Sequence, residues 1–98
     1  MGKGYWVSAH RNLPDSEKYE VYAKLAIVAV KNGGGRFIVR GLTETAVENG
    51  LTGFRTVVIE FDSYEKAIEV YHGEEYQKAV KKLGGTQDRD FRIMKEFK

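Results

Sequence analysis

The apolar residues of this chain recur with a period that changes along its length in a set order: two, then about 3.6, then two in each of two segments, then 3.6, then two. That order limits the folds open to it more than any single motif does. From Tyr5 to Arg11, Tyr5, Val7 and Ala9 alternate with Trp6, Ser8 and His10, as in a strand with two different faces. After Pro14, Asp15 can accept from the free amides of a first helical turn, and Tyr19, Tyr22, Ala23, Ala26, Ile27 and Val30 then form a stripe at helical spacing. Val21, Leu25 and Val28 form a second apolar line roughly opposite. Asn32 and Gly33-Gly34-Gly35 stop this helix.

Arg36 to Gly41 reads as a strand, Leu42 to Gly53 as a hairpin loop, and Arg55 to Phe61 as a central strand because Val57, Val58 and Ile59 are β-branched in succession. Asp62 with Glu65 has capping-box spacing, Ser63 is the alternative cap, and Tyr64, Ala67, Ile68 and Tyr71 make the next helical stripe. Gly73 breaks it, and Tyr76, Ala79, Val80 and Leu83 make a third stripe before Gly84-Gly85. Asp88 to Phe97 closes as a strand, Phe91 and Ile93 facing one way, Arg92 and Met94 the other.

Ninety-eight residues make a single domain, 1–98. With 42% hydrophobic residues the chain is too apolar for a disordered polymer, yet no apolar run approaches the roughly 18 residues of a membrane span. Sixteen Lys and Arg against fourteen Asp and Glu leave a charge of +2, too balanced to indicate nucleic acid or an anionic membrane. The lack of cysteine excludes disulfides and thiolate metal sites. No apolar leader precedes the first strand, so a cytoplasmic location is the expectation.

The order β-α-β-β-α-(α)-β predicts an α+β, ferredoxin-like four-stranded antiparallel sheet with helices on one face. Val57, Ile59 and Phe61 should point at the helices. The other face should then collect Phe54, Thr56, Val58 and Glu60 with Trp6, Ser8, His10, Ile38, Arg40, Arg92 and Met94. Trp6, Ile38, Val58 and Met94 would form an apolar patch there, which predicts a homodimer packed sheet face to sheet face.

Gly4-Tyr5-Trp6, Tyr19 with Tyr22, Gly34-Gly35-Arg36-Phe37-Ile38-Val39-Arg40-Gly41, Arg55 followed by Val57-Val58-Ile59-Glu60-Phe61, and Glu75-Tyr76-Gln77 occur in an order and spacing that resemble the DUF1330 family of the dimeric α+β barrel superfamily. The resemblance spans nearly the whole chain. It implies a ferredoxin-like subunit paired through its sheets, with a small cavity between sheet and helices and no established reaction. The superfamily includes cofactor-independent monooxygenases and lactone isomerases, so the fold alone does not define the chemistry. The chain departs from the family pattern at Leu42, where a second glycine is common, and at Leu83, where an arginine often follows the Glu-Tyr-Gln helix.

Arg40, Arg55 and Glu60 match family positions, and guanidinium groups near a carboxylate could bind a small organic anion through a planar fork of donors, although an ion pair flanking strands is the simpler reading. Tyr22, Tyr71 and Tyr76 lie on helix faces that should meet the sheet, where their hydroxyls could line a cavity or pack as core. His10 and Glu60 are the candidates for moving a proton, with His72 a lesser one. Two histidines and no cysteine predict no metal, and no cofactor is expected. The three-glycine run follows a helix instead of opening one, so it is a helix stop and not a phosphate cradle. An RNA platform would need an aromatic at Thr56 and no charge at Glu60, which argues against nucleic acid. The expectation is a homodimer binding a small organic acid or aromatic metabolite near Tyr22, Arg40, Arg55, Glu60, Tyr71 and Tyr76. Its alternatives are a structural or regulatory dimer without ligand and, further off, a cofactor-independent monooxygenase or isomerase.

Overall fold

The computed structural model describes residues 2–97. The chain runs β1 (Gly4–His10), α1 (Ser16–Asn32), β2 (Arg36–Leu42), β3 (Arg55–Phe61), α2 (Tyr64–His72), α3 (Glu74–Lys81) and β4 (Arg89–Lys95). The four strands form one sheet in the order β2-β3-β1-β4, every neighbouring pair antiparallel. This is the ferredoxin-like α+β fold predicted from the periodicity. No helix of the described residues is long and apolar enough to cross a membrane.

Local chemistry sets the element ends. The Asp15 carboxylate accepts from the Lys18 amide at 3.0 Å and starts α1. Beyond its C-terminus Gly34 has φ +81°, a backbone conformation that costs a side-chain-bearing residue energy and glycine little. Of the two caps considered for α2, Ser63 is the one used, its Oγ accepting from the Lys66 amide at 3.0 Å. Asp62 turns instead to Arg36 and Lys3, at 3.2 and 3.8 Å. The β1 start passes so close to α2 that a Cβ on Gly4 would meet the Ser63 carbonyl.

The core lies between one face of the sheet and the helices, and Trp6, Phe61, Tyr76, Leu83 and Val30 are fully buried in it. The expected assignment of Trp6, Ser8 and His10 to the open face is corrected here. Trp6 pairs with Ile59 of β3 and Ile93 of β4, and directly opposed residues share a face, so Trp6, Ser8 and His10 all point at the helices. Trp6 stacks within 4.6 to 5.5 Å of Tyr76, Phe61 and Phe91, and its Nε1 donates to the Ala67 carbonyl of α2 at 2.8 Å.

Arg40 is the second correction. The β2–β3 register slips between Phe37 and Val39, so Val39 opposes Val58 on the open face while Arg40 opposes Val57 on the helix face. The extra residue, Ile38, is exposed in the irregularity, and the bulge reverses the alternation for everything after it. The open face therefore presents Val39, Val58 and Val7 in a row across three strands, with Tyr5, Glu60, Arg36 and Met94 in the adjoining row. The second apolar line of α1, Val21, Leu25 and Val28, stays at the surface.

Candidate functional site

Between α1 and the helix-facing side of the sheet lies a cavity of about 40 Å³. Its floor comes from the strands, with Ser8 and His10 on β1, Arg40 on β2 and Arg89 on β4. Its roof comes from Tyr19 and Tyr22 of α1 and Tyr76 of α3. The remainder of the wall is apolar, and the lining contains neither Asp nor Glu. A space of this size accommodates one or two water molecules, or the head group of a small ligand entering from the open end.

Register puts cationic groups side by side at one end of the sheet. His10 opposes Arg89 on β4, and Arg55 of β3 stands one step beyond the Ala9–Thr56 pair, next to His10 on its other side. The six arginines of the chain divide in two. Arg11, Arg36 and Arg92 are ion-paired, with Asp88 at 2.9 Å, Glu60 at 3.0 Å and Asp90 at 2.9 Å. Arg40 and Arg89 line the cavity, Arg55 stands beside it over the ring of Tyr19, and among the described residues none of the three pairs with a carboxylate. They lie over aromatic rings instead: Arg55 over Tyr19 at 4.0 Å, Arg89 over Phe91 at 4.8 Å and Arg40 over Phe37 at 5.6 Å.

Arg89 also organises the roof. Its Nη1 donates to the Tyr22 hydroxyl at 3.1 Å and its Nη2 to the Tyr76 hydroxyl at 3.3 Å, while the two hydroxyls are 2.7 Å apart. Each phenol has one proton. One of the pair donates to the other, and the remaining proton has no acceptor among the described residues, so it is free for a ligand in the cavity. Burial pushes the Tyr76 phenol up, so Tyr76 keeps its own proton at neutral pH.

Two further polar groups on the wall lack partners. Ser8 Oγ and His10 Nδ1 are both buried and make no hydrogen bond. An unmet buried polar atom is uncommon because its desolvation goes uncompensated. Burial, followed by the charges of Arg89 and Arg55, lowers His10 to about 4, so the ring is neutral at pH 7.

Of the residues singled out from sequence, His10, Tyr22, Tyr76 and Arg40 line the cavity, and Arg55 stands beside it on the ring of Tyr19. Tyr71 sits behind the wall, packed on Trp6, Tyr76 and Phe91. Glu60 is on the opposite face of the sheet, accepting from the Tyr5 hydroxyl at 3.0 Å and Arg36 Nε at 3.1 Å; these two partners hold its carboxyl below the usual range. His72 is exposed at the end of α2. Sequence reasoning missed Arg89, Ser8 and Tyr19 as site residues. Arg89 was within reach of the period-two rule, since it stands two residues before Phe91 and four before Ile93, both assigned to the helix face. Among the described residues no cluster of three or more His, Asp or Glu could hold a metal ion.

A four-stranded antiparallel sheet with three helices on one face and a cavity beneath them defines a ferredoxin-like α+β protein. Residues 3–97 match the family described as a domain of unknown function, DUF1330, and the chain belongs to that family. Its fold is similar to that of a protein of unknown function from Rhodopseudomonas palustris, at 19% identity and TM-score 0.71 over 99% of this chain and 84% of that one. It is also similar to a dimeric protein of unknown function and ferredoxin-like fold from Bacteroides fragilis, at 20% identity and TM-score 0.60 over 96% of each chain. A third similarity is to a variant of a cofactor-independent oxygenase from Streptomyces nogalater, at 9% identity and TM-score 0.59 over 95% of this chain and 90% of that one. No curated protein matches the chain.

Proposed function

We propose that this protein is a homodimer that binds a small organic anion, such as a short or aromatic carboxylate, in the cavity between sheet and helices. The observation that carries the reading is the sorting of the arginines: three satisfied by carboxylates outside the cavity, three grouped at its end with aromatic faces and no counter-charge. Guanidinium groups held apart from carboxylates in a partly desolvated place favour an incoming anion, and the planar fork of Arg89 supplies paired donors. The unshared phenol proton and Ser8 Oγ would complete the ligand's hydrogen bonds. Any proton transfer in this cavity would fall to His10, because Glu60 faces the other way.

Dimerisation through the open face is supported by the Val39–Val58–Val7 row, which a lone subunit would leave in contact with water, and by the dimeric state of the Bacteroides fragilis neighbour. Glu60 with Tyr5 and Arg36 would then belong to the interface.

Thermal unfolding across a series of carboxylates from acetate to benzoate tests the binding. A ligand that binds only the folded state adds about 2.7 kcal/mol at a hundred times its Kd. The wild-type protein and Lys24→Met, altered on the exposed side of α1, should show a saturable rise in Tm, whereas Arg89→Met and Arg55→Met should not. A wild-type protein indifferent to every member of the series, or arginine variants that respond as it does, would refute the reading.

A further inference from the structure

The position of His10 extends the proposed function to the proton balance of binding, and rests on that reading. The imidazole is buried on the cavity wall with Nδ1 unpartnered. The groups facing it are Arg89 from β4, Arg55 from β3, Arg40 from β2 at the same cavity, the phenols Tyr19 and Tyr22 from α1, and Tyr76 from α3. Tyr19 presents its ring to His10 edge-on at 6.3 Å between centroids. None of these groups is a carboxylic acid, phenols as a class keep their protons far above neutral pH, and no carboxylate pairs with His10 among the described residues. The charges nearest the imidazole are the positive ones of Arg89 and Arg55, so a second proton on it is opposed from both sides.

An anion seated between Arg55 and Arg89 inverts that situation. It sets a negative charge beside the ring, cancels the field of the flanking guanidinium groups and offers an acceptor to an imidazole N–H. We propose that the cavity takes up its anion together with one proton, which His10 binds on the ring nitrogen that lacks one, so that the ligand is held between two guanidinium groups and an imidazolium. The proton comes from solvent when the ligand arrives as the anion, and from the ligand itself when it arrives as the neutral acid. In both cases one N–H bond forms and the net charge of the complex equals that of protein plus neutral acid.

Linkage sets the size of the effect. His10 stays neutral in the free protein down to about pH 4. If the anion raises it above 6, affinity for a permanently ionised ligand grows by up to about tenfold for each pH unit lowered between those two values. Methanesulfonate is a suitable probe because it does not titrate in this range.

Calorimetry of methanesulfonate binding to the intact protein, in Bis-Tris and in imidazole buffers between pH 5 and 7.5, should give affinity that rises as pH falls. The heat should differ between the buffers in proportion to a proton uptake approaching one per subunit at pH 5.5. In His10→Gln the anion should still bind, with affinity independent of pH and heat independent of buffer. His72→Gln should behave as wild type. NMR of the imidazole ring needs no variant: the His10 resonances should titrate near pH 4 without the anion and above 6 with it. Binding that is flat in pH with no proton uptake, or a His10 titration unmoved by saturating methanesulfonate, overturns this inference and leaves the anion site standing. Absence of binding by methanesulfonate and by every carboxylate overturns both.

Discussion

Acid should weaken the ligand-free protein through His10 before its carboxylates titrate. In the unfolded chain the imidazole takes a proton near pH 6.5, whereas in the folded protein burial and the neighbouring Arg89 and Arg55 hold it neutral to about pH 4. Between those values the unfolded state binds the extra proton and the folded state does not, so stability falls as pH falls. The contribution is intact above pH 6.5, declines by about 1.4 kcal/mol per pH unit below it, and levels off under pH 4. At pH 4.5 the accumulated loss is about 2.5 kcal/mol, which for a domain of this length corresponds to roughly 10 to 20 °C in Tm. Urea unfolding of wild type and His10→Gln at fixed protein concentration, at pH 7.5, 6.0, 5.0 and 4.5, isolates the effect. Glu60 and Asp90, both held low by their partners, contribute equally to the two proteins and cancel in the difference. The variant should lose less stability than wild type by about 2.5 kcal/mol over the series. Parallel loss in both proteins would show that His10 is not held neutral, and the electrostatic account of the cavity would fail with it.

Three other changes probe the scaffold. Trp6→Ala removes a side chain in contact with Tyr76, Phe61 and Phe91, so it should cost about 3 to 5 kcal/mol and most of the near-ultraviolet circular dichroism; a loss below 1 kcal/mol would contradict its central position. Gly34→Ala should cost about 1 to 2 kcal/mol, because its φ of +81° strains any residue with a Cβ, and chemical denaturation would reveal it. Val58→Lys, at the middle of the open-face row, should abolish the proposed dimer and leave an 11.1 kDa monomer with an unchanged far-ultraviolet spectrum; a variant that sediments as a dimer would place the interface elsewhere, and a monomeric wild type would refute the dimer.

The seven elements were legible because each carries its own period and its own stops. Helix α1 could be read from Asp15, the Tyr19 to Val30 stripe and the glycines after Asn32, all within one segment, and β3 ran from Arg55 to Phe61 as the β-branched run indicated. The face of β1 was harder. Tyr5, Val7 and Ala9 are as apolar as a core strand needs, and alternation alone does not say which side turns inward. Pairing of Trp6 with Ile59 decided it. Arg40 posed the same difficulty in β2, where a bulge between Phe37 and Val39 reversed the faces midway with no glycine or proline to announce it.

The cavity shows the division most plainly. The sequence by itself determined the class of fold, the ends of α1, and that Tyr22 and Tyr76 face inward, since these follow from local spacing and from interactions within a few residues. Only the tertiary structure decided that Arg89 meets both of those phenols from 67 and 13 residues away, and that His10 lies between two arginines while Glu60 lies behind the sheet. Those relations depend on strand register, and register is a property of pairs of strands: a slip of one residue moves a side chain from the cavity to the opposite face without altering any local preference.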